Sequence, residues 1–431
     1  MSKSSKSSRK TQISNIKYPY AKSWDLSKKH VTFEIQKNRL ALINSLRRST
    51  ISDVKTFAAR ALPYKSSTIQ IVKNDTSLTN QMIAHRISLI PINITDEKFP
   101  IDDYEFYIDV SNNENKFKTV TTNDIQVLDI KKGTNLSKED TLKIFPKDPK
   151  LNTDIVITKI KPVYTNNSNV FDNFNNMISN ELKFYVKFKA VLSSGSEDAC
   201  FNPHSVVSCS FKEDPKLVEE GRQEYIKNET QKFKDNNLQP LTKEELTKIF
   251  DTSFKERFYY KDENEEPTHF IYKIESIGNI PPLIIFHRSI NALINRINNF
   301  EINIKTENAN IITVQPSKNM LEGFIFTIQN ESDTLGNLIQ DEIYNSFSDS
   351  ENEEDNIVSF ISYKRIHPLE EKIIFNILSP KFKEPNQIIN NIFVPTCETL
   401  IKKLKSLQNN LEETKEYISE LKTMHKNSYN V

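Results

Sequence analysis

The stretch NDTSLTNQMIAHRISLIPINI, residues 74–94, sets His85 beside Arg86 among Ile83, Ile87, Leu89 and Ile90. An imidazole trades protons near neutral pH, so this pair is the first candidate for acid–base chemistry. A catalytic base also needs a nucleophile or an orienting carboxylate at hand, and neither Asp75 nor the nearby serines offer a recognisable spacing. Adjacent Asp102 and Asp103 suggest a metal site, but neighbouring strand residues point to opposite faces and cannot chelate one ion; a solvated turn is the simpler reading. The three cysteines, Cys200, Cys209 and Cys397, are too scattered for a disulfide framework or for paired zinc ligands, and suit a reducing compartment. None of the six glycines fall at GxGxxG or P-loop spacing, which removes nucleotide enzymes built on those loops. No catalytic, cofactor-binding or metal-ligating residue is therefore assigned.

The elements that must carry these residues follow from apolar periodicity. The 431 residues hold 58 basic and 57 acidic side chains, so no global field draws the chain to nucleic acid or membrane. No run approaches the ~20 apolar residues of a membrane span. Residues 1–17 are basic and Ser-rich, and read as a disordered tail. HVTFEIQ (30–36) alternates as a strand, and Asn38 is a plausible N-cap for a helix striped by Leu40, Leu42, Ile43 and Leu46, with Arg47 and Arg48 beside the stripe. From 55 to 210 short apolar runs (TIQIV, YEFYIDV, IVITKI, ELKFYVKFKAV) predict a mostly β domain interrupted by one helix, the opening stretch closed by Pro91. Residues 213–265 are charged and helix-prone.

THFIYKIES (268–276) is again a strand, and Pro281–Pro282 begins a helix in which Leu283, Phe286, Ile290, Leu293, Ile297 and Phe300 recur at steps of three and four. The same grammar then repeats. FIFTIQNESDTLGNLIQDE (324–342) echoes VTFEIQKNRLALINSLRR (31–48), with a helix stripe that includes Leu335 and Leu338. SFISYKRI and EKIIFNIL predict two further strands, and Pro395 precedes a long helix with Cys397, Leu400, Leu404, Leu407 and Leu411 in heptad spacing, broken at Thr414. The chain thus carries two diverged copies of one unit, and the two heptad helices should bury their seams against each other or against a partner.

The stretches NRLALINSLRRSTISDVKTFA, NDTSLTNQMIAHRISLIPI, DACFNP and FIYKIESIGNIPP resemble the α-like assembly subunits of multisubunit RNA polymerases, in particular the third-largest eukaryotic subunit with its archaeal and bacterial α counterparts. ESDTLGNLIQDEI and SYKRIHPLEEKIIFNI resemble the small partner of that subunit, so the chain looks like a fusion of the two, as in large DNA viruses. The resemblance implies an α+β fold: two α-subunit-type dimerisation domains paired within one chain, the first interrupted by a mostly β insert. The implied bounds are a tail at 1–17, a first dimerisation domain at 18–59 and 205–303, an insert at 60–204, a linker at 304–322 and a second dimerisation domain at 323–431.

The resemblance implies a non-catalytic platform for transcription, with the nucleotidyltransferase chemistry on other chains. Its partners would be the second-largest and largest polymerase subunits and small polymerase subunits, with DNA met only through the complex. Arg47, Arg48, His85 and Arg86 would face the second-largest subunit. The location implied is a viral transcription complex in the virion or host cytoplasm, the alternative being the nucleus. Three departures stand out: no cysteine follows Ile92 where many relatives carry a zinc loop or iron–sulfur module, so no metal is expected; and two loops are enlarged, at 163–180 and 346–356. The competing class, a stand-alone nucleic-acid-binding or hydrolytic protein, would need a basic groove or a carboxylate–histidine cluster that the sequence does not display.

Overall fold

In the computed structural model, residues 12–20, 28–163, 181–235, 241–306, 311–317, 323–348, 356–427 and 429 are described. The chain begins with β1 (Gln12–Lys17), β2 (His30–Gln36) and α1 (Leu40–Ser52). It continues through β3 (Lys55–Ala59), β4 (Ile69–Asn74), α2 (Asn80–Ser88), β5 (Tyr104–Asn112), β6 (Lys118–Thr121), β7 (Ile125–Asp129), β8 (Thr134–Asn135), α3 (Lys138–Ile144), β9 (Val156–Ile160), β10 (Leu182–Phe188) and β11 (Ala190–Ser194). Next come β12 (His204–Phe211), α4 (Pro215–Asp235), α5 (Lys243–Ser253), β13 (His269–Ser276) and α6 (Pro282–Lys305). The last part holds β14 (Ile312–Pro316), β15 (Gly323–Gln329), α7 (Asp333–Phe347), β16 (Phe360–Lys364), β17 (Lys372–Leu378), α8 (Pro385–Ile388), α9 (Val394–Glu412) and α10 (Lys415–Asn427).

Helices and antiparallel sheets make the fold α+β. Two four-stranded sheets run β1-β2-β13-β12 and β14-β15-β17-β16. Counted within its own stretch of chain each has the order first-second-fourth-third, with a helix after the second strand (α1, α7) and another after the fourth (α6, α9). Helices of corresponding position touch: α1 packs on α7 and α6 on α9, while α1 also packs on α6 and α7 on α9. One contiguous apolar core takes in both sheets and all four helices. Every residue of the heptad seam is inside it: Leu283, Phe286, Ile290, Leu293, Ile297, Phe300, Leu335, Leu338, Leu400, Leu404, Leu407 and Leu411 are each at most 2% exposed. Each such side chain contributes about 1.5–3 kcal/mol on burial, which makes this seam a large store of stability.

A second core forms on the five-stranded sheet β4-β10-β5-β7-β8, from Phe57 and Ala59 through Ile83, Ile87, Phe106 and Phe184 to Ala190. The two-stranded ladder of β3 with β11 closes its base. Arg288 of α6 reaches into this region, donating to the Thr95 carbonyl and lying 3.5 Å from Glu97.

Several sequence expectations need correction. Residues 12–17 of the expected tail form β1, paired with β2; residues 1–11 lie outside the described residues. Residues 312–316 of the expected linker form β14, paired with β15, while 307–310 and 318–322 lie outside the described residues. Both are edge strands whose few apolar side chains leave little periodic signal; main-chain pairing with the next strand holds them. The cap of α1 is Arg39 without a side-chain bond, not Asn38, whose N–H is drawn 3.3 Å away to the Thr268 carbonyl. A second helix, α3, interrupts the β region, started by Ser137 accepting from the Asp140 N–H. The final helical run starts earlier than Pro395, at Pro385; a π-helical stretch, Ile389–Phe393, leads directly into α9, whose first turn tolerates the missing proline N–H. It then breaks at Glu413–Thr414 into α9 and α10. Asp102 and Asp103, by contrast, lie in a 3-10 turn, as expected. Loops 164–180 and 349–355 lie outside the described residues.

Candidate functional site

Helix α1 turns Leu42, Ile43, Leu46, Ser49 and Thr50 inward, which leaves Arg48 exposed and Arg47 half-buried. The Arg47 guanidinium donates to Asn44 Oδ1 from Nε at 3.1 Å and from Nη2 at 2.9 Å. It also lies close enough to the Cys209 thiol of β12 to act on it electrostatically. Arg48 Nε donates to Thr334 Oγ1 of α7 at 2.7 Å, so it spans from the first sheet's helix to the second's.

Helix α2 is started by Thr79, whose side chain accepts from the Met82 N–H. Ile83, Ala84, Ile87 and Ser88 are buried, which fixes the opposite face outward. His85 and Arg86 are exposed, and Arg86 Nη2 donates to the Val156 carbonyl at 2.7 Å. Met82 and Leu89, 54% and 53% exposed, flank them. Residues 82, 85, 86 and 89 follow helical spacing, so one solvent face combines two apolar side chains with an imidazole and a guanidinium. Sequence reasoning placed Leu89 in the apolar set and passed over Met82; the i, i+3, i+4, i+7 spacing was the available signal.

The structure sets Arg47 and Arg48 on the first core and His85 and Arg86 on the second. Among the described residues, no side-chain hydrogen bond joins one pair to the other.

Charge pairing separates these arginines from most others. Arg39 meets Glu266 and Asp341, Arg60 meets Glu197, Arg222 meets Glu219 and Asp251, Arg288 meets Glu97, Arg296 meets Glu331 and Asp53, and Arg365 meets Asp333. Arg47, Arg48 and Arg86 have no carboxylate within ion-pair distance among the described residues. Among the described residues their side chains bond only neutral oxygens, leaving guanidinium donors for an external acceptor.

The Cys200 and Cys209 thiols and the His204 imidazole are ill suited to catalysis. Burial pushes the thiols of Cys200 and Cys209 up to about 12 and about 11, so they stay protonated and poorly nucleophilic. His204 is buried, with Nε2 3.0 Å from the Thr50 carbonyl, and burial lowers its pKa. Among the described residues no three His, Cys, Asp or Glu side chains converge as metal ligands.

A buried carboxylate ties the ends of the chain to α6. Glu420 of α10 accepts from the Leu283 N–H at 2.8 Å and from the Tyr18 hydroxyl at 2.8 Å. Pro281, at the cap position of α6, offers no side-chain bond, so a distant carboxylate fills that role. Burial raises the Glu420 pKa to about 7 against the pull of these hydrogen bonds.

A family model described as the RNA polymerase Rpb3/Rpb11 dimerisation domain matches residues 32–297. The curated protein DNA-directed RNA polymerase subunit Rpo3 of Pyrococcus horikoshii is 31% identical over 75 residues, 17% of this chain and 26% of that protein. Subunit Rpo3 of Thermococcus kodakarensis is 36% identical over 62 residues, 14% of this chain and 21% of that protein. The matched stretches therefore span well under half of either relative. The family match includes α1, α2 and most of α6, and ends before β14.

Proposed function

The chain belongs to the RNA polymerase Rpb3/Rpb11 dimerisation domain family, and on that premise we propose that it is a non-catalytic assembly platform of a DNA-directed RNA polymerase. In this reading two family units are fused in one chain, at 18–59 with 205–303 and at 323–431, and pair with each other, the region at 60–204 being an insert in the first. The contact of α1 with α7 and of α6 with α9 supports this, because pairing of like element with like is how two copies meet across a two-fold axis.

The second-largest polymerase subunit docks on Arg47, Arg48, His85 and Arg86, with the largest and small subunits bound elsewhere. The observation that carries this reading is that the three arginines lack carboxylates of their own, whereas those inside the fold are paired. Planar guanidinium forks accept carboxylates bidentately, and an arginine left half-satisfied at a surface suits an acidic partner. Viral origin and a viral transcription complex in virion or cytoplasm accompany the fusion as part of the proposal.

The test is co-purification. The tagged chain should bring down two very large chains, and Arg47→Ala combined with Arg86→Ala should release the second-largest subunit at moderate salt. Full retention by the double variant would remove the docking role from these residues.

A further inference from the structure

A strand at the edge of a sheet exposes unpaired main-chain N–H and C=O groups, and proteins protect such edges with bulges, prolines or charges. Three of the four edges of the two equivalent sheets carry such protection. The register of β1 shifts between Ser14 and Lys17, with Asn15 at a φ of 52°. Strand β14 ends in Pro316, and β16 ends in Lys364.

Strand β12, HSVVSCSF, is different. Its one irregularity falls between His204 and Val206, and from Val206 to Phe211 its pairing with β13 is unbroken. That run contains no charge, proline or glycine. Among the described residues no strand pairs with its outer edge. The Lys212 N–H bonds the His269 carbonyl at 2.9 Å, so the alternation of an antiparallel ladder turns the main-chain groups of Ser210, Ser208 and Val206 toward β13. Those of Phe211, Cys209 and Val207 then face outward.

We propose that this free edge receives an extended, carboxylate-bearing segment of a partner polymerase subunit, which adds to the sheet as a fifth strand beside β12. The inference rests on the assembly reading above and extends its surface. Helix α1 packs across β12, and Arg47 lies beside Cys209 with Asn44 as its only side-chain partner among the described residues. A strand added at β12 therefore passes an arginine without a carboxylate. Main-chain bonds supply affinity, and an acidic side chain near Arg47 supplies register. A second copy of this chain fits less well: two-fold pairing of β12 with itself would set both Arg47 side chains on one face of the joined sheet, like charge beside like.

Amide hydrogen exchange on the full chain, free and in the co-purified polymerase, tests this. In the free chain the amides of Val207, Cys209 and Phe211 should exchange fast, and those of Val206, Ser208 and Ser210 slowly. In the complex the first three should slow by at least about tenfold. Val207→Pro, which removes one outward N–H and none that bond β13, should lower partner retention about tenfold at a salt where the parent chain holds. Should that variant not fold, exchange in the parent chain decides alone. If the complex forms while the three amides stay fast, the strand proposal is overturned and the docking reading stands. Slow exchange in the free chain together with a dimer mass by light scattering would assign the edge to a second copy and overturn the proposal. Absence of any polymerase complex would overturn both.

Discussion

The two four-stranded sheets share order and helix placement, yet their long helices begin in different ways. Helix α6 follows β13 through a short turn and starts at a proline pair with no local cap, so its first N–H groups are served by Glu420 from the far end of the chain. Helix α9 emerges from α8 through a π-helical stretch, so its first N–H groups are already inside a helical run. Two sheets of like order thus meet one end-satisfaction problem in two ways, by a long-range carboxylate and by local continuity. The first solution makes α6 depend on α10 and on Tyr18; the second lets the helical run itself serve the start of α9.

The largest effect should come where the two halves are alike. Leu293 and Leu404 are fully buried on the touching helices α6 and α9, and Leu293→Asp or Leu404→Asp should each lower unfolding free energy by at least about 4 kcal/mol, from lost packing plus a buried unpaired carboxylate. Urea unfolding measures this, and a variant within about 1 kcal/mol of the parent would remove its helix from the shared core.

The next effect should expose the difference. Burial raises the Glu420 pKa from the ordinary 4.5 to about 7, so between those values the folded chain keeps a proton that the unfolded chain has released. Stability therefore falls as pH rises through that window, by about 3 kcal/mol, and is level above it. Glu420→Gln should flatten this part of the pH profile of the melting temperature. An unchanged slope would mean that the carboxylate is not the group responsible.

A smaller loss is expected at Arg296, which links α6 to the segment before α7. Its Nε and Nη2 lie 3.0 and 2.7 Å from Glu331 Oε2, and Nη2 also reaches Ser332 Oγ at 3.0 Å. Burial already raises the Glu331 pKa, so Arg296→Ala should cost about 2 kcal/mol by stranding that carboxylate, most of it recovered in Arg296→Ala with Glu331→Gln. A double-mutant cycle without coupling would separate the two residues.

The smallest effect on stability should be at the surface. Arg47→Ala with Arg86→Ala should shift unfolding free energy by no more than about 0.5 kcal/mol, although the same variant should lose its large partner. A strong loss of stability would make these residues structural.

Strong periodicity made part of this legible from sequence. The heptad residues of 283–300 and 400–411 could be placed in a core because three-and-four spacing leaves one apolar stripe, and β2, β13 and β17 because alternating side chains leave one apolar face. Edge strands β1 and β14 were missed because pairing in an edge strand is main-chain chemistry that side-chain pattern does not report. At the candidate site, the side of α2 that faces outward followed from Ile83, Ile87 and Ile90, but Met82 and Leu89 became part of that surface only once their exposure was seen.

The sequence by itself determined the local elements, because strand–helix–strand–helix grammar is local, and the motifs within residues 32–297 carried the family. Tertiary structure alone decided which charges are spent. Arg39, Arg296 and Arg365 meet carboxylates 227 or more, 35, and 32 positions away, while Arg47, Arg48 and Arg86 meet none among the described residues. It also decided that Glu420 caps a helix beginning 138 positions earlier. Ion pairs and caps of this kind depend on through-space distance, which sequence spacing does not encode once the chain has folded back on itself.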